Sequence, residues 1–177
     1  MKKEESSGKR RRGILSTTVT GSADVPARIK WLDLKQRHAV LATSSARGPH
    51  ASLVAFVLTK AGRGIVFATP TVTAKYRNMK KSSKVALLID NRTNSGKDYA
   101  GAEAVTVFGR AKEIKEGPQW AELATLLASK HKELGPFVAA PATALMLVTI
   151  SRCVHVGRFQ EVTDWRPKKR SEGRTRA

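Results

Sequence analysis

The sequence predicts a mainly β protein: an antiparallel sheet of about six strands closed into a small barrel, with helices plugging or flanking it. Three observations carry this. Short runs rich in Val, Ile, Leu and Thr follow one another in hairpin-length steps, without regular strand–helix alternation. Turn chemistry separates them, as in "ARGP" after "AVLATSS" and "KAGRG" before "GIVFAT". Only three stretches space their apolar residues as helices do. The 177 residues are 41% hydrophobic, enough for one domain with a core.

The elements follow in order. Residues 1–22 are charged, then Ser/Thr-rich, and read as a disordered basic tail. The domain is expected over 23–163. In "DVPARIKWLDLKQRH", Asp24 is a plausible N-cap and Pro26 a first-turn residue of a helix carrying Ile29, Trp31, Leu32 and Leu34. "AVLATSS" and "HASLVAFVLTK" read as paired strands, and "GIVFAT" as the next. A short helix follows within "FATPTVTAKYRN", then a strand, "KVALLIDN", and a polar loop, "RTNSGKDYAGA". "EAVTVFGRAKEIK" alternates as a strand, with a bulge or close approach at Gly109. "GPQWAELATLLASKHKEL" is a helix with Trp120, Leu123, Leu126 and Leu127 on one face, Pro118 near its start and Gly135 after its end. "TALMLVTISRCVHVGRF" is a long last strand. Residues 164–177 read as a second disordered basic tail.

The formal net charge is +19. Residues 1–13 and 164–177 carry +4 each, which leaves +11 between them. Basic tails suit loose contact with nucleic acid or an anionic surface. A basic middle suits an anionic small ligand. The one cysteine, Cys153, excludes a disulfide framework and a cysteine metal site, and no metal is expected. No apolar run reaches membrane-spanning length. "RRRGIL" is followed by polar residues, not by the apolar core of an export signal, so a cytoplasmic protein is expected.

The stretch after "GIVFAT" poses a chemical question. The first turn of its helix carries Lys75 and Arg77, where the helix dipole disfavours cations. Thr71 or Thr73 can cap the helix, a threonine hydroxyl can donate to an oxyanion, and first-turn N–H groups point the same way. A phosphate suits that arrangement. Solvated surface cations beside turn-forming threonines suit it about equally well on spacing alone.

The run from Ala39 to Ile114 resembles the pyridoxamine 5'-phosphate oxidase-like, FMN-binding split-barrel family. The matching pieces, in the family's order, are "AVLATSSARGPHASLVAFVL", "GIVFATPTVTAKYRNMKKSSKVALLID" and "AVTVFGRAKEI". The resemblance implies a six-stranded split barrel working as a homodimer, with two flavin sites at the interface. It implies that His50, Ser52, Leu53 and Val54 line the flavin ring, and that Phe67, Ala68 and Thr69 follow the ring and ribityl chain. Thr73 and Lys75 would hold the FMN phosphate, with Asn78 close by. Ser52 stands where phosphate-oxidase members often have arginine, which shifts weight to Lys75 and Arg77.

The family also implies the function: an FMN-dependent oxidoreductase, with the flavin supplying the redox chemistry. The C-terminal R-L-H and W…R-L-P elements that bind pyridoxamine phosphate are reduced here to "VHVGRF" and "DWRP". Pyridoxamine phosphate is therefore not the expected substrate; substrate and electron donor are not legible. Relatives within the fold leave F420 and haem as alternative cofactors. Haem would need one of His38, His50, His131 or His155. Of these, His131 is expected in solvent and His155 on one face of the last strand, and a lone histidine is more often structural. Cys153 reads as a buried structural thiol, and Asp90, Asp98 and Glu103 as solvated loop carboxylates. A nucleic-acid-binding small barrel is the alternative of another class; against it, aromatic residues are only 6%.

Overall fold

The computed structural model describes residues 21–157 and 161–168. The basic runs 1–20 and 169–177 lie outside the described residues. Eight strands and five helices follow one another: α1 Val25–Lys35, β1 His38–Ser45, β2 Gly48–Ala55, β3 Val57–Leu58, β4 Gly64–Pro70, α2 Ala74–Lys81, β5 Lys84–Asp90, α3 Asp98–Gly101, β6 Ala104–Ile114, α4 Pro118–Lys130, α5 Gly135–Ala139, β7 Thr143–Gly157 and β8 Glu161–Trp165.

All pairings are antiparallel, in the order β2-β1-β5-β6-β7-β4-β3, with β8 also on β7. β2 and β3 are neighbours in the chain but stand at opposite ends of that order. One residue, Phe56, links them, so the sheet curls until its ends meet. This is a half-open, split barrel. Phe56 sits at the corner fully buried. Its N–H reaches the Arg37 carbonyl at 3.4 Å, and Asp33 Oδ1 accepts the Leu58 N–H at 2.9 Å, so α1 pins the crossing.

Two strands exceed the six expected. The run "HASLVAFVLTK" divides because its two parts serve opposite ends of the sheet. β8 was expected as tail from Asp164 onward, yet Asp164 pairs with Val154 and Trp165 with Cys153. Arg152 explains this: its Nε donates to Asp164 Oδ2 at 2.9 Å, so charges that look like solvated tail are matched across the ladder.

Other expectations hold locally. Asp24 caps α1 by accepting the Ala27 N–H at 3.2 Å, and Val25, Ile29 and Leu32 enter the core, but Leu34 is 82% exposed. The β6–β7 register shifts between Phe108 and Gly109. A Cβ at Gly109 would run into the Thr149 carbonyl, so the close approach is real. The barrel interior holds Leu41, Val54, Phe56, Ile65, Phe67, Leu87, Val107 and Met146. A second cluster outside it joins Val66 and Leu145 to Leu123 and Leu127 of α4 and Val138 of α5. No described helix is long and apolar enough to cross a membrane.

Candidate cofactor cleft

β4 delivers the chain to α2 through a tight set of hydroxyl bonds. Thr73 Oγ1 accepts the Tyr76 N–H at 3.4 Å and donates to the Pro70 carbonyl at 2.9 Å. Thr69 Oγ1 lies 3.1 Å from it. With the Thr73 proton given to Pro70, Thr69 is the donor in that pair. Thr73 is thus the cap, and its hydroxyl is committed to the turn. The N–H groups of Tyr76 and Arg77 are used at the cap, whereas those of Ala74 and Lys75 take no partner among the described residues. Lys75 is half-buried and forms no ion pair there. Two open N–H groups and a lysine without an ion pair among the described residues therefore stand in the first turn of α2, an arrangement a phosphate would satisfy.

Strand parity sorts the other candidates. His50 pairs with Thr43, Ser52 with Leu41 and Val54 with Ala39, residues whose partners are buried in the barrel. His50 and Ser52 lie at its open edge, with His50 Nδ1 3.2 Å from Ser52 Oγ. Leu53 points to the other face of β2 and is 66% exposed. On β4, Phe67 belongs to the barrel core, while Ala68 packs against the outer cluster. Val54 and Phe67 are spent on the core, so only their backbones could meet a ligand. Asn78 is buried and donates through Nδ2 to Thr43 Oγ1 at 3.1 Å; Thr43 in turn lies 3.4 Å from the His50 carbonyl. That chain ties α2 to the β1–β2 hairpin.

Between the β1–β2 turn and α2 lies a groove of about 500 Å³, lined by Ser45, Arg47, His50, Arg77, Asn78 and Lys81, among others. Arg47 and Lys81 escaped the sequence reading. The Arg77–Lys81 spacing of four on a helix was a usable signal; Arg47, in a turn, gave none.

A second polar centre was also missed. Glu103, expected in solvent, is 9% exposed. Its Oε2 accepts Arg28 Nε at 2.8 Å and His155 Nε2 at 2.8 Å, and its Oε1 accepts Arg28 Nη2. Desolvation works to raise its pKa, but the hydrogen bonds and charges of Arg28 and His155 prevail and hold it below the usual carboxylate range. The three residues line a cavity of about 470 Å³ with Asp24 and Glu161.

His131 corrects a further expectation. It is 3% exposed, with Nε2 2.9 Å from the Phe56 carbonyl, because α4 ends against the barrel corner. Burial pushes its pKa down, and that hydrogen bond only partly opposes it. His155 is occupied at Nε2, and its Nδ1 is enclosed. His38 and His50 are exposed. Among the described residues no three His, Cys, Asp or Glu side chains converge as a metal site would need. Cys153 is fully buried, and burial pushes its pKa up to about 12. Tyr99 is 81% exposed.

The sequence profile of the pyridoxamine 5'-phosphate oxidase family matches residues 27–165. The chain belongs to that family. No curated protein matches the sequence. Among solved structures, a haem binding protein from Mycobacterium smegmatis superposes with a TM-score of 0.72 at 16% identity, over 82% of this chain and 59% of that one. Campylobacter jejuni ChuZ gives 0.68 at 14% identity, over 82% and 61%. HutZ, described as the haem storage protein of Vibrio cholerae, gives 0.62 at 17% identity, over 71% and 89%. The chain thus spans about three fifths of the length of the first two. At these identities the likeness is one of fold, and the family's split barrel is the shared element.

Proposed function

We propose that this member of the pyridoxamine 5'-phosphate oxidase family binds FMN and acts as a flavin-dependent oxidoreductase. The observation that carries the reading is the start of α2: a helix of eight residues whose Ala74 and Lys75 N–H groups and Lys75 ammonium have no anionic partner among the described residues. The FMN phosphate is the anion that the family supplies. The residues that would hold the cofactor are Lys75 and the α2 first turn at the phosphate, then His50 and Ser52 along the cleft; Thr69, fully buried and bonded to Thr73, holds the turn beneath them. A bound flavin brings the redox chemistry; these residues orient it and limit access of water.

We further propose a homodimer with the cofactor at its interface. The outer face of the sheet supports it. In one row across five strands stand Leu53, Val40, Leu88, Thr106 and Val154, at least partly exposed, and no helix among the described residues covers them. A second copy would bury that row and bring Leu53 beside a ligand, although it faces away from His50.

The test is the absorption spectrum of the purified protein, followed by release of the cofactor and its identification by mass. FMN is expected. Lys75→Ala should weaken flavin retention by more than tenfold, through loss of a charge-assisted phosphate contact. Equal occupancy after dialysis of variant and parent would overturn the phosphate assignment. Haem is the second reading, favoured by the two haem proteins of the same fold and by the exposed His50 at the cleft. F420 is the third. The released mass separates all three, and a colourless chain that takes up no added FMN would end the cofactor reading.

A further inference from the structure

We infer that a groove beside α1 binds single-stranded nucleic acid, and that the basic runs at the two chain ends extend this contact. The inference stands apart from the flavin reading. The groove, of about 340 Å³, lies between α1, the β3–β4 turn and the residues that follow β8. Lys30, Arg63 and Lys168 line it, and no carboxylate does. All three are exposed and are in no ion pair among the described residues, where seven other Arg and Lys side chains are. Arg63 is positioned: its Nη1 donates to the Lys168 carbonyl at 3.3 Å. Lys30 reaches across to the turn, its Cε 3.9 Å from the place a Cβ on Gly62 would take. Three cations held close together without a carboxylate are matched to a counter-charge from outside.

Trp165 adds the aromatic surface. It lines the same groove and is only partly covered by the barrel core. Paired with Cys153, it shares the inner face of the sheet, whereas Asp164, opposite Val154, takes the outer one. A second copy seated on the outer row would leave the groove open. An indole beside cations suits a base and its phosphates: the ring stacks while the cations follow the backbone. A duplex keeps its bases inside and offers the ring none, so the single strand is the matched form. The volume is at the small end of ligand sites, so the groove takes one unit of a polymer whose backbone continues outside it. That continuation meets more charge. The Gly21 N–H donates to the Val162 carbonyl at 3.1 Å, so residues 1–20 join the fold beside β8, and residues 169–177 follow Lys168. The first run has six cations against Glu4 and Glu5, the second four against Glu172. The fold thus brings both ends of the sequence to one basic face. The cofactor cleft is elsewhere: the groove adjoins the Gly64 end of β4 and the α2 junction follows its Pro70 end, about 20 Å along an extended strand.

The experiment follows a fluorescein-labelled oligouridylate binding to the full chain by anisotropy over a series of salt concentrations, and measures flavin content in parallel. Lys30→Gln/Arg63→Gln is compared with Lys84→Gln/Lys132→Gln, which removes the same charge from exposed positions at the start of β5 and just after α4. The parent is expected to bind. Affinity should fall at least about tenfold in the groove variant and hold in the control, and the slope of log affinity against log salt should flatten by about 1.4 in the groove variant alone. Flavin content should be constant throughout. A strand carrying 4-thiouridine, photo-crosslinked to the full chain, should attach at Trp165 or within 59–63. Attachment confined to 1–20 and 169–177 would leave the groove without a role and overturn the inference. No binding to the parent would do the same, as would equal loss in both variants, which would reduce the effect to net charge. A duplex bound as tightly as the single strand would show that no base reaches the ring, and flavin content falling together with affinity would make the groove part of the cofactor site; each overturns the inference. Phosphatidylserine vesicles bound more tightly than the strand, through Lys30 and Arg63, would give the face to a lipid surface instead.

Discussion

Glu103→Gln tests the buried polar centre. The side chain keeps its volume but loses its charge, and one of its oxygens becomes an amide. In the parent, Oε2 takes N–H groups from Arg28 and His155, while Oε1 takes another from Arg28. An amide nitrogen in place of Oε1 faces one donor, and in place of Oε2 it faces two. Removing one partner of a buried ion pair costs about 3–5 kcal/mol. The Arg28 side chain is 38% exposed and can regain water, so the cost falls below that range, to about 2–3 kcal/mol. For a domain of this size that is a fall in Tm of roughly 6–12 °C. The assay is thermal unfolding by circular dichroism across pH. The folded pKa of Glu103 lies below its unfolded value, so its contribution is complete above the usual carboxylate range. As pH falls, the unfolded chain takes up the proton first, and the contribution is lost on passing through the lowered folded value. The gap between parent and variant should therefore be full near pH 7 and close in acid. A gap under about 2 °C at pH 7, or one that widens in acid, would refute the reasoning.

Gly109→Ala should cost at least about 2 kcal/mol in urea unfolding, since the new methyl meets the Thr149 carbonyl and Val148 Cγ1 across the bulge; a change under half that would mean the β6–β7 ladder yields easily. Cys153, with its pKa near 12 from burial, should react with a thiol-specific disulfide reagent at least about a hundredfold more slowly in the native protein than in urea at pH 8; prompt labelling would show that β7 opens. Leu53→Glu should shift the protein in size exclusion with light scattering from the proposed dimer to the 19.3 kDa chain; a variant that stays the size of the parent would place any interface elsewhere.

Much of the fold was legible because its signals are local. Asp24 announces a helix three residues ahead, and Gly109 sits inside an alternating strand where only a bulge or a close approach explains it. What was not legible depends on distant partners. Glu103 and His131 look like solvated residues at the end of a loop and of a helix, and each is buried by a contact 75 residues away, with Arg28 and Phe56. The tail boundary failed for the same reason, since Asp164 finds its charge partner on β7. At the candidate site, the sequence located the β4–α2 junction and narrowed its cap to Thr71 or Thr73; the structure gives Thr73. It did not separate the two faces of β2, so Leu53 was grouped with His50 and Ser52. Face is fixed by register against β1, and register is not written in a single strand.

The length of β7 bears on how the chain is made. Its fifteen residues hold β6 along one side and β4, then β8, along the other. The β4 ladder runs from Gly64 paired with Thr149 to Pro70 paired with Thr143. During synthesis β4 must therefore wait at least 73 residues for its partner, roughly 4–15 s at ordinary rates of translation. Through that interval β4 has only the two residues of β3 on one edge and nothing on the other, with Ile65, Val66 and Phe67 uncovered. A ribosome that stalls before residue 143 would release a sticky half-barrel, and such nascent chains are where a chaperone should be found bound.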